Sequence, residues 1–600
     1  MRKRGNGSSP AADQARRRFL KAVPAVVAGG LATPALARQQ PQQDDLRISK
    51  ETLDCGEQLL GVDFTDADQE QALRGVNRNL EAFERLRALE IPLDTEPAVT
   101  FRPYLPGKAP RPGATPGARI DVRLQPPAAR PSSIQDVAFL PVTALAPLLR
   151  RRDITSTDLT KMYLERLKTI GGRLNCVVTL TEELALAQAA QADREIRAGR
   201  YKGPLHGIPW GAKDLLATKG IPTTWGAGPY EHQVFDYDAT VVERLYQAGA
   251  VLVAKLSMGS LAQGDRWFRG QTKNPWNPDD PQRGGSSGSS AGPGAATAAG
   301  LLGFSLGTET RGSIISPSAA NGVTGLRPTY GRVSRHGAMA LSWTMDKIGP
   351  MCRSVEDCAL VFNAIYGPDG RDDTVLDAPF GWNPDVPLSK LRIGYIAVEF
   401  EQRPPTGGGR GGGRGGGRSG VPPEVARRRR EEQLKALNAA LDVYRQAGAT
   451  LHPIELPGTE IASTIGFILA TEAAAAFDDL TRSPEIRDAS LNTWPNTFRT
   501  HRYVPAVEYI RAQRARTLLV REMDALMSKY DVFLSPNASA SLGLTNLTGH
   551  PAIALKAGFV DGAPIVLMIT GRLYDEATLL RAALAYERAT KWHTMNPDMT

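Results

Sequence analysis

Ser289-Ser290-Ala291-Gly292-Pro293-Gly294-Ala295-Ala296-Thr297-Ala298-Ala299-Gly300 leads through an apolar run into Gly307-Thr308-Glu309-Thr310-Arg311-Gly312-Ser313. Small residues dominate the stretch, and small residues let backbone N–H groups approach a ligand closely. Upstream, Gly207-Ile208-Pro209-Trp210-Gly211-Ala212-Lys213-Asp214 sets one lysine in an otherwise apolar segment. A lysine kept from water loses its charge readily and then accepts a proton from a hydroxyl. Two serines and a lysine in Gly-rich settings point to nucleophilic catalysis without histidine, the Ser-Lys variant of the hydrolase triad.

At these residues the chain resembles the amidase signature family. Aligning the Ala298-Ala299-Gly300-Leu301 run and the Gly307–Ser313 loop with the family pattern puts the nucleophile at Ser313. The bridging serine, which follows a cis peptide bond in the family, falls 24 residues earlier at Ser289, and Ser286 and Ser287 read as an extra Gly/Ser run. Lys213 stands where the family has its Lys-Asp pair. The similarity continues through Gly322-Val323-Thr324-Gly325-Leu326-Arg327-Pro328-Thr329-Tyr330-Gly331-Arg332-Val333-Ser334 and returns in Asn546-Leu547-Thr548-Gly549-His550-Pro551. It covers the chain from about residue 135 to residue 600.

The resemblance implies an α/β fold with α/β/α layers around one large mixed β-sheet. It implies hydrolysis of a carboxamide C–N bond, on a small-molecule or peptide amide, with no cofactor and no metal. Neutral Lys213 would take a proton from Ser289, which takes it from Ser313 as Ser313 attacks the carbonyl. Backbone N–H groups of Thr310, Arg311 and Gly312 would form the oxyanion hole, where such donors stabilise developing charge. Arg311 departs from the family, which commonly has glycine there, and a side chain would strain a left-handed backbone. Pro293 likewise replaces a small polar residue.

Composition is ordinary for a globular protein, with 42% hydrophobic and 22% charged residues. The net charge of +9 looks like a nucleic-acid cue until it is located. Residues 1–37 contribute +6 and the Gly/Arg run at 403–430 contributes +7, so the rest carries −4, is mildly acidic, and no nucleic-acid partner is expected. Arg16-Arg17-Arg18-Phe19-Leu20-Lys21 matches a twin-arginine export signal, followed by an apolar stretch from Ala22 to Leu36 too short to span a bilayer. Ala35-Leu36-Ala37 supplies a small-residue cleavage site, so residues 1–37 read as a signal peptide. The mature chain is expected to be periplasmic or secreted, with no membrane association after cleavage. Four cysteines, Cys55, Cys176, Cys352 and Cys358, are too sparse for a disulfide framework. With Cys352 and Cys358 on one helix capped by Ser354, about 9 Å would separate them, beyond disulfide reach.

Residues 38–133 form an extension and connector without recognisable chemistry, which packs on the main body or assists a homodimer. Within it, Leu73, Val76, Leu80, Phe83 and Leu86 recur at helical steps over 66–89, and a Pro/Gly/Arg-rich segment runs from Pro103 to Pro131. The amidase domain is expected over 134–600. Its helices, such as 182–198 and 240–247, alternate with short apolar strands such as 175–180 and 250–254, which argues a layered α/β domain. The run at 403–430 reads as a disordered loop, because Gly-rich chain buries too little surface to fold. Leu469–Phe477 reads as a helix near the pocket on the family resemblance. Gly284-Gly285-Ser286-Ser287-Gly288 also fits the G-x-S-x-G pattern, but the preceding Pro/Asp-rich stretch supplies no strand. Two rival functions share the motifs: a glutamine-dependent tRNA amidotransferase A-type subunit, and a non-catalytic binding protein on an amidase scaffold.

Overall fold

The computed structural model describes residues 47–87, 99–124, 131–280, 284–385, 387–401 and 422–599. The expected signal peptide and the Gly-Gly-Gly-Arg repeats lie outside them. The chain divides into two compact units, 1–90 and 91–600.

In the first unit two helices follow one another, Lys50–Leu60 and Asp66–Arg87. Ser49 caps the first by accepting the Thr52 N–H, and Gly61 closes it in a left-handed turn. Asn77 of the second helix exchanges two hydrogen bonds with the backbone of Ile48, at 2.9 and 3.0 Å.

The second unit is built on an eleven-stranded mixed sheet. Its strands are β1 (Val177–Leu180), β2 (Pro209–Lys213), β3 (Val251–Leu256), β6 (Phe304–Glu309), β7 (Thr324–Arg327), β8 (Lys347–Cys352), β9 (Ile393–Ile396), β10 (Leu451–Ile454), β11 (Val532–Pro536), β12 (Ala552–Val560) and β13 (Ala563–Gly571). A separate two-stranded ribbon holds β4 (Arg266–Trp267) and β5 (Gly270–Gln271). The order across the large sheet is β1-β3-β2-β6-β8-β7-β12-β13-β11-β9-β10. β3, β2 and β6 run parallel, as do β11, β9 and β10, and antiparallel strands join the two groups. The fully buried faces of β2, β3, β6 and β8 explain their near-continuous apolar or small sequences. The α/β architecture expected from the alternation of helices and short strands is the one observed.

Two expectations need correction. Cys352 and Cys358 do not share a helix: Cys352 ends β8, while Cys358 lies in the helix Val355–Ile365 that starts after Ser354. Ser354 does cap that helix, accepting the Asp357 N–H, and both thiols are free and buried. The loop expected at 403–430 also ends early. A helix starts at Pro423, where a proline suits the first turn, and Arg428 and Arg429 reach Asp561 at 2.9 and 2.8 Å.

The segment 99–124 has no helix or strand, but its backbone is tied to the body. Gly113 donates to the Asp377 carboxylate (2.9 Å), Thr115 to the Tyr366 hydroxyl (2.9 Å) and Arg123 to Glu356 (2.8 Å). The main core closes over both sheet faces. Ile569 of β13, fully buried, lies between Leu534 of β11 and Ile553 of β12. Ile569→Ala should therefore cost about 2–5 kcal/mol, through lost burial and an unfilled cavity. Chemical denaturation followed by circular dichroism should show the midpoint fall accordingly.

Candidate active site

The parallel arrangement of β2 and β6 brings their C-terminal ends side by side, where open α/β sheets commonly place ligands. Lys213 is the last residue of β2 and Glu309 the last of β6. Successive strand residues face opposite ways, and this separates Lys213 from its neighbour Asp214. Asp214 turns to Lys255, 3.3 Å away, and accepts the Thr224 N–H at 2.9 Å. Lys213, fully buried, has no ion-pair partner among the described residues. Its Nζ instead meets Ser289 Oγ at 2.8 Å, Thr308 Oγ1 at 2.8 Å, Ser290 Oγ at 3.1 Å and the Thr308 carbonyl at 3.4 Å.

That environment sets its proton affinity. Burial dominates and pushes the Lys213 amine down to about 7, although the more distant carboxylates of Asp346 and Glu309 pull the other way. A neutral amine has two N–H donors and one lone pair, so one of the surrounding hydroxyls can donate to it.

Ser289 precedes the helix Ala291–Ala298, and the Gly288–Ser289 peptide is cis. Its carbonyl accepts the Gly259 N–H at 3.2 Å. Gly288 has no room for a side chain, since a Cβ there would fall 1.7 Å from the Gly264 carbonyl oxygen. Ser313 closes the loop after β6, and its carbonyl accepts the Ser290 N–H at 3.2 Å. Ser313 is only 9% exposed, and its hydroxyl makes no hydrogen bond among the described residues. The structure thus brings Lys213 and Ser289 into direct contact and holds Ser313 on the adjoining loop.

The loop itself is clamped from behind. Glu309 Oε2 accepts the N–H groups of Ile314 (2.8 Å) and Ile315 (2.9 Å). Its Oε1 accepts from Arg327 (2.8 Å) and Asn546 (2.7 Å). Burial alone would raise this carboxyl, but the Arg327 guanidinium and the backbone donors hold it below the usual carboxylate range. Thr310 Oγ1 donates to Asp346 at 2.6 Å, and Asp346 also receives the N–H groups of Leu341 and Ser342.

Gly312 needs its glycine: its φ is +99°, a backbone that side chains rarely adopt. Arg311 does not share that conformation. The strain expected for a non-glycine residue at 311 is therefore absent, because the left-handed residue is its neighbour. The Arg311 side chain is exposed, while Glu309, Thr310 and Ser313 are buried. Pro293 is accommodated inside the first turn of its helix, and its carbonyl accepts the Ser305 hydroxyl at 3.0 Å. Ser286 of the G-x-S-x-G match is buried and bonded to the Lys273 carbonyl at 2.6 Å, so it serves the loop.

Several participants escaped the sequence reading. Ser290 and Thr308 complete the polar cage of Lys213, and both sit within the two motifs. Asp346 and Asn546 act on the loop from remote segments, and no local pattern marks the first of these. Glu309→Gln should leave Arg327 without its buried counter-charge and weaken the clamp. The expected cost is about 3–5 kcal/mol by chemical denaturation, with faster hydrogen exchange at the Ile314 and Ile315 amides.

The chain is similar to known proteins along most of its length. A family model described as Amidase matches residues 158–407. Among curated relatives, the A-type subunit of the glutamyl-tRNA(Gln) amidotransferase from Chloroflexus aggregans is 35% identical over 514 residues, 77% of this chain and 99% of the relative. Its counterpart from a Roseiflexus species is 37% identical over 506 residues, 75% of this chain and 96% of the relative. Among solved structures, a peptide amidase from Stenotrophomonas maltophilia superposes with a TM-score of 0.63 at 29% identity, over 75% of this chain and 97% of that one.

Proposed function

The chain belongs to the amidase signature family, and on that premise we propose that it cleaves a carboxamide C–N bond through an acyl-enzyme on Ser313. One observation carries the reading: a fully buried lysine with no ion-pair partner among the described residues, its amine 2.8 Å from Ser289 Oγ. A serine hydroxyl is a weak nucleophile until a base takes its proton. Ser313 Oγ attacks the amide carbon, its proton passes to Ser289 Oγ, and the Ser289 proton passes to the Lys213 amine. The backbone N–H groups of Thr310, Arg311 and Gly312 receive the developing oxyanion, and the side chain of Arg311 leaves those donors intact. Reversing the relay protonates the leaving nitrogen, which departs as ammonia or an amine. Water then attacks the ester, again losing its proton through Ser289 to Lys213, and the carboxylic acid is released. Ser313 is freed with its hydroxyl restored.

A second reading has a specific observation behind it: relatives at 35% and 37% identity are A-type subunits of the amidotransferase. Against it stands the proposed export, supported by the Arg16-Arg17 signal and the Ala35-Leu36-Ala37 cleavage site. A protein released outside the cytoplasm would not meet aminoacyl-tRNA. N-terminal sequencing of the protein recovered from its native cells decides between them. A start near Arg38 in the periplasm or medium supports the exported amidase, and an intact start in the cytoplasm supports the amidotransferase reading.

The mechanism makes sharp kinetic demands. Ser313→Ala should abolish amide hydrolysis and labelling by a fluorophosphonate while leaving the fold intact. Lys213→Arg should lower kcat by a factor of roughly 10²–10⁴, because a guanidinium stays protonated and cannot act as the base. Wild-type kcat/KM should rise with pH through a midpoint near 7, as the Lys213 ammonium loses its proton. A fully active, folded Lys213→Arg enzyme would remove lysine from the relay.

A further inference from the structure

Arg311 is the one member of the Gly307–Ser313 motif whose side chain leaves the interior. It lies two residues before Ser313, so their Cα atoms are within about 7 Å. Its guanidinium rests over two glycines from different segments. Nε and Nη2 lie 3.4 and 3.5 Å from where a Cβ of Gly543 would be, and Nη1 lies 3.9 Å from the same point at Gly466. Gly543 belongs to the helix Ala540–Leu547, and Gly466 precedes the helix Ile468–Ala476. The guanidinium thus lies against the chain of both segments.

Within the described residues this guanidinium makes no hydrogen bond and no ion pair. Its neighbours differ sharply. Arg327 is held by Glu309, Thr545 and the His550 carbonyl, and Arg516 by Thr344 and the Leu547 carbonyl. The nearby carboxylate of Glu309 is fully engaged by Ile314, Ile315, Arg327 and Asn546. Lys213, once neutral, brings no competing charge. A guanidinium presents a planar fork that fits a carboxylate bidentately, and one resting against two backbone segments loses less freedom on binding.

We infer that Arg311 is a specificity-determining residue at the mouth of the site, selecting amides that carry a carboxylate a few bonds from the scissile carbonyl. This rests on the amidase reading above. The partner is the substrate's own anionic end, and the contact is salt-sensitive because the guanidinium is exposed.

The test uses the full mature protein and a chain-length series of dicarboxylic acid monoamides, each matched to the amide of equal length ending in a hydroxyl. The readout is the acid-to-hydroxyl ratio of kcat/KM within each variant, measured by ammonia release. At low salt the wild type should favour the acid by about tenfold at one or two chain lengths, chiefly through KM. The ratio should fall toward one in Arg311→Gln, recover in part in Arg311→Lys, and decline with added sodium chloride. In parallel, the free dicarboxylates should slow fluorophosphonate labelling of Ser313 in the wild type more than in Arg311→Gln. Equal ratios in wild type and Arg311→Gln at every length would overturn the inference. The hydroxyl-terminated amides would still report the amidase reading. If no amide is turned over and Ser313 resists labelling, the amidase reading falls and this inference falls with it.

Discussion

An ammonium ion in a dry protein interior must find a carboxylate or give up its proton, and on the proposed reading Lys213 takes the second course. Lys213 and Lys255 make the contrast within one unit. Both are fully buried, but Lys255 faces Asp214 across 3.3 Å, while among the described residues the Lys213 amine contacts only hydroxyl and carbonyl oxygens. Desolvation therefore drives the Lys213 amine toward its neutral form near pH 7, where a lone pair becomes available to Ser289. The alternation of a β-strand separates the two roles, since Lys213 and Asp214 are adjacent in sequence and point to opposite sides.

The proposed mechanism also requires that Ser313 stay where the relay can reach it. Glu309 provides this from below by binding the backbone just beyond Ser313, with Arg327 and Asn546 satisfying its other oxygen. Thr310 provides it from the side through Asp346. The same 341–346 segment continues outward: the hydroxyls of Ser342 and Thr344 reach Glu472 at 2.6 and 2.7 Å, and Tyr509 reaches it at 2.8 Å. A continuous set of buried and partly buried hydrogen bonds thus joins the candidate oxyanion loop to the helices Ile468–Ala476 and Ala506–Met527. Such fully satisfied networks favour one arrangement over many.

Much of this was legible in the sequence, and for identifiable reasons. The strands β1 and β3 announce themselves by short apolar runs between helical periodicities, and the Ser289 and Ser313 motifs by their density of small residues. Lys213 stands out because a lone lysine breaks an apolar segment. What could not be read is non-local. Asp346 reaches Thr310 from a separate loop, and Asp214's choice of Lys255 depends on strand register. The placement of Cys352 was misjudged because a strand ending beside a helix cap mimics a longer helix in sequence. The supposed strain at Arg311 failed for a related reason, as composition alone does not say which of two adjacent residues takes the left-handed turn. Arg311's isolation was equally hidden, because an unpartnered side chain is defined by everything that does not approach it.

The central claim is that Lys213 is a neutral amine at working pH, and its ionisation can be watched directly. Lysines labelled with ¹³C at Cε would be titrated by NMR, with the Lys213 resonance identified by its loss in Lys213→Met. The account predicts a signal titrating near pH 7, well below the ordinary lysine value of about 10.4. A Lys213 resonance that stays in its ammonium form up to pH 10 would contradict it.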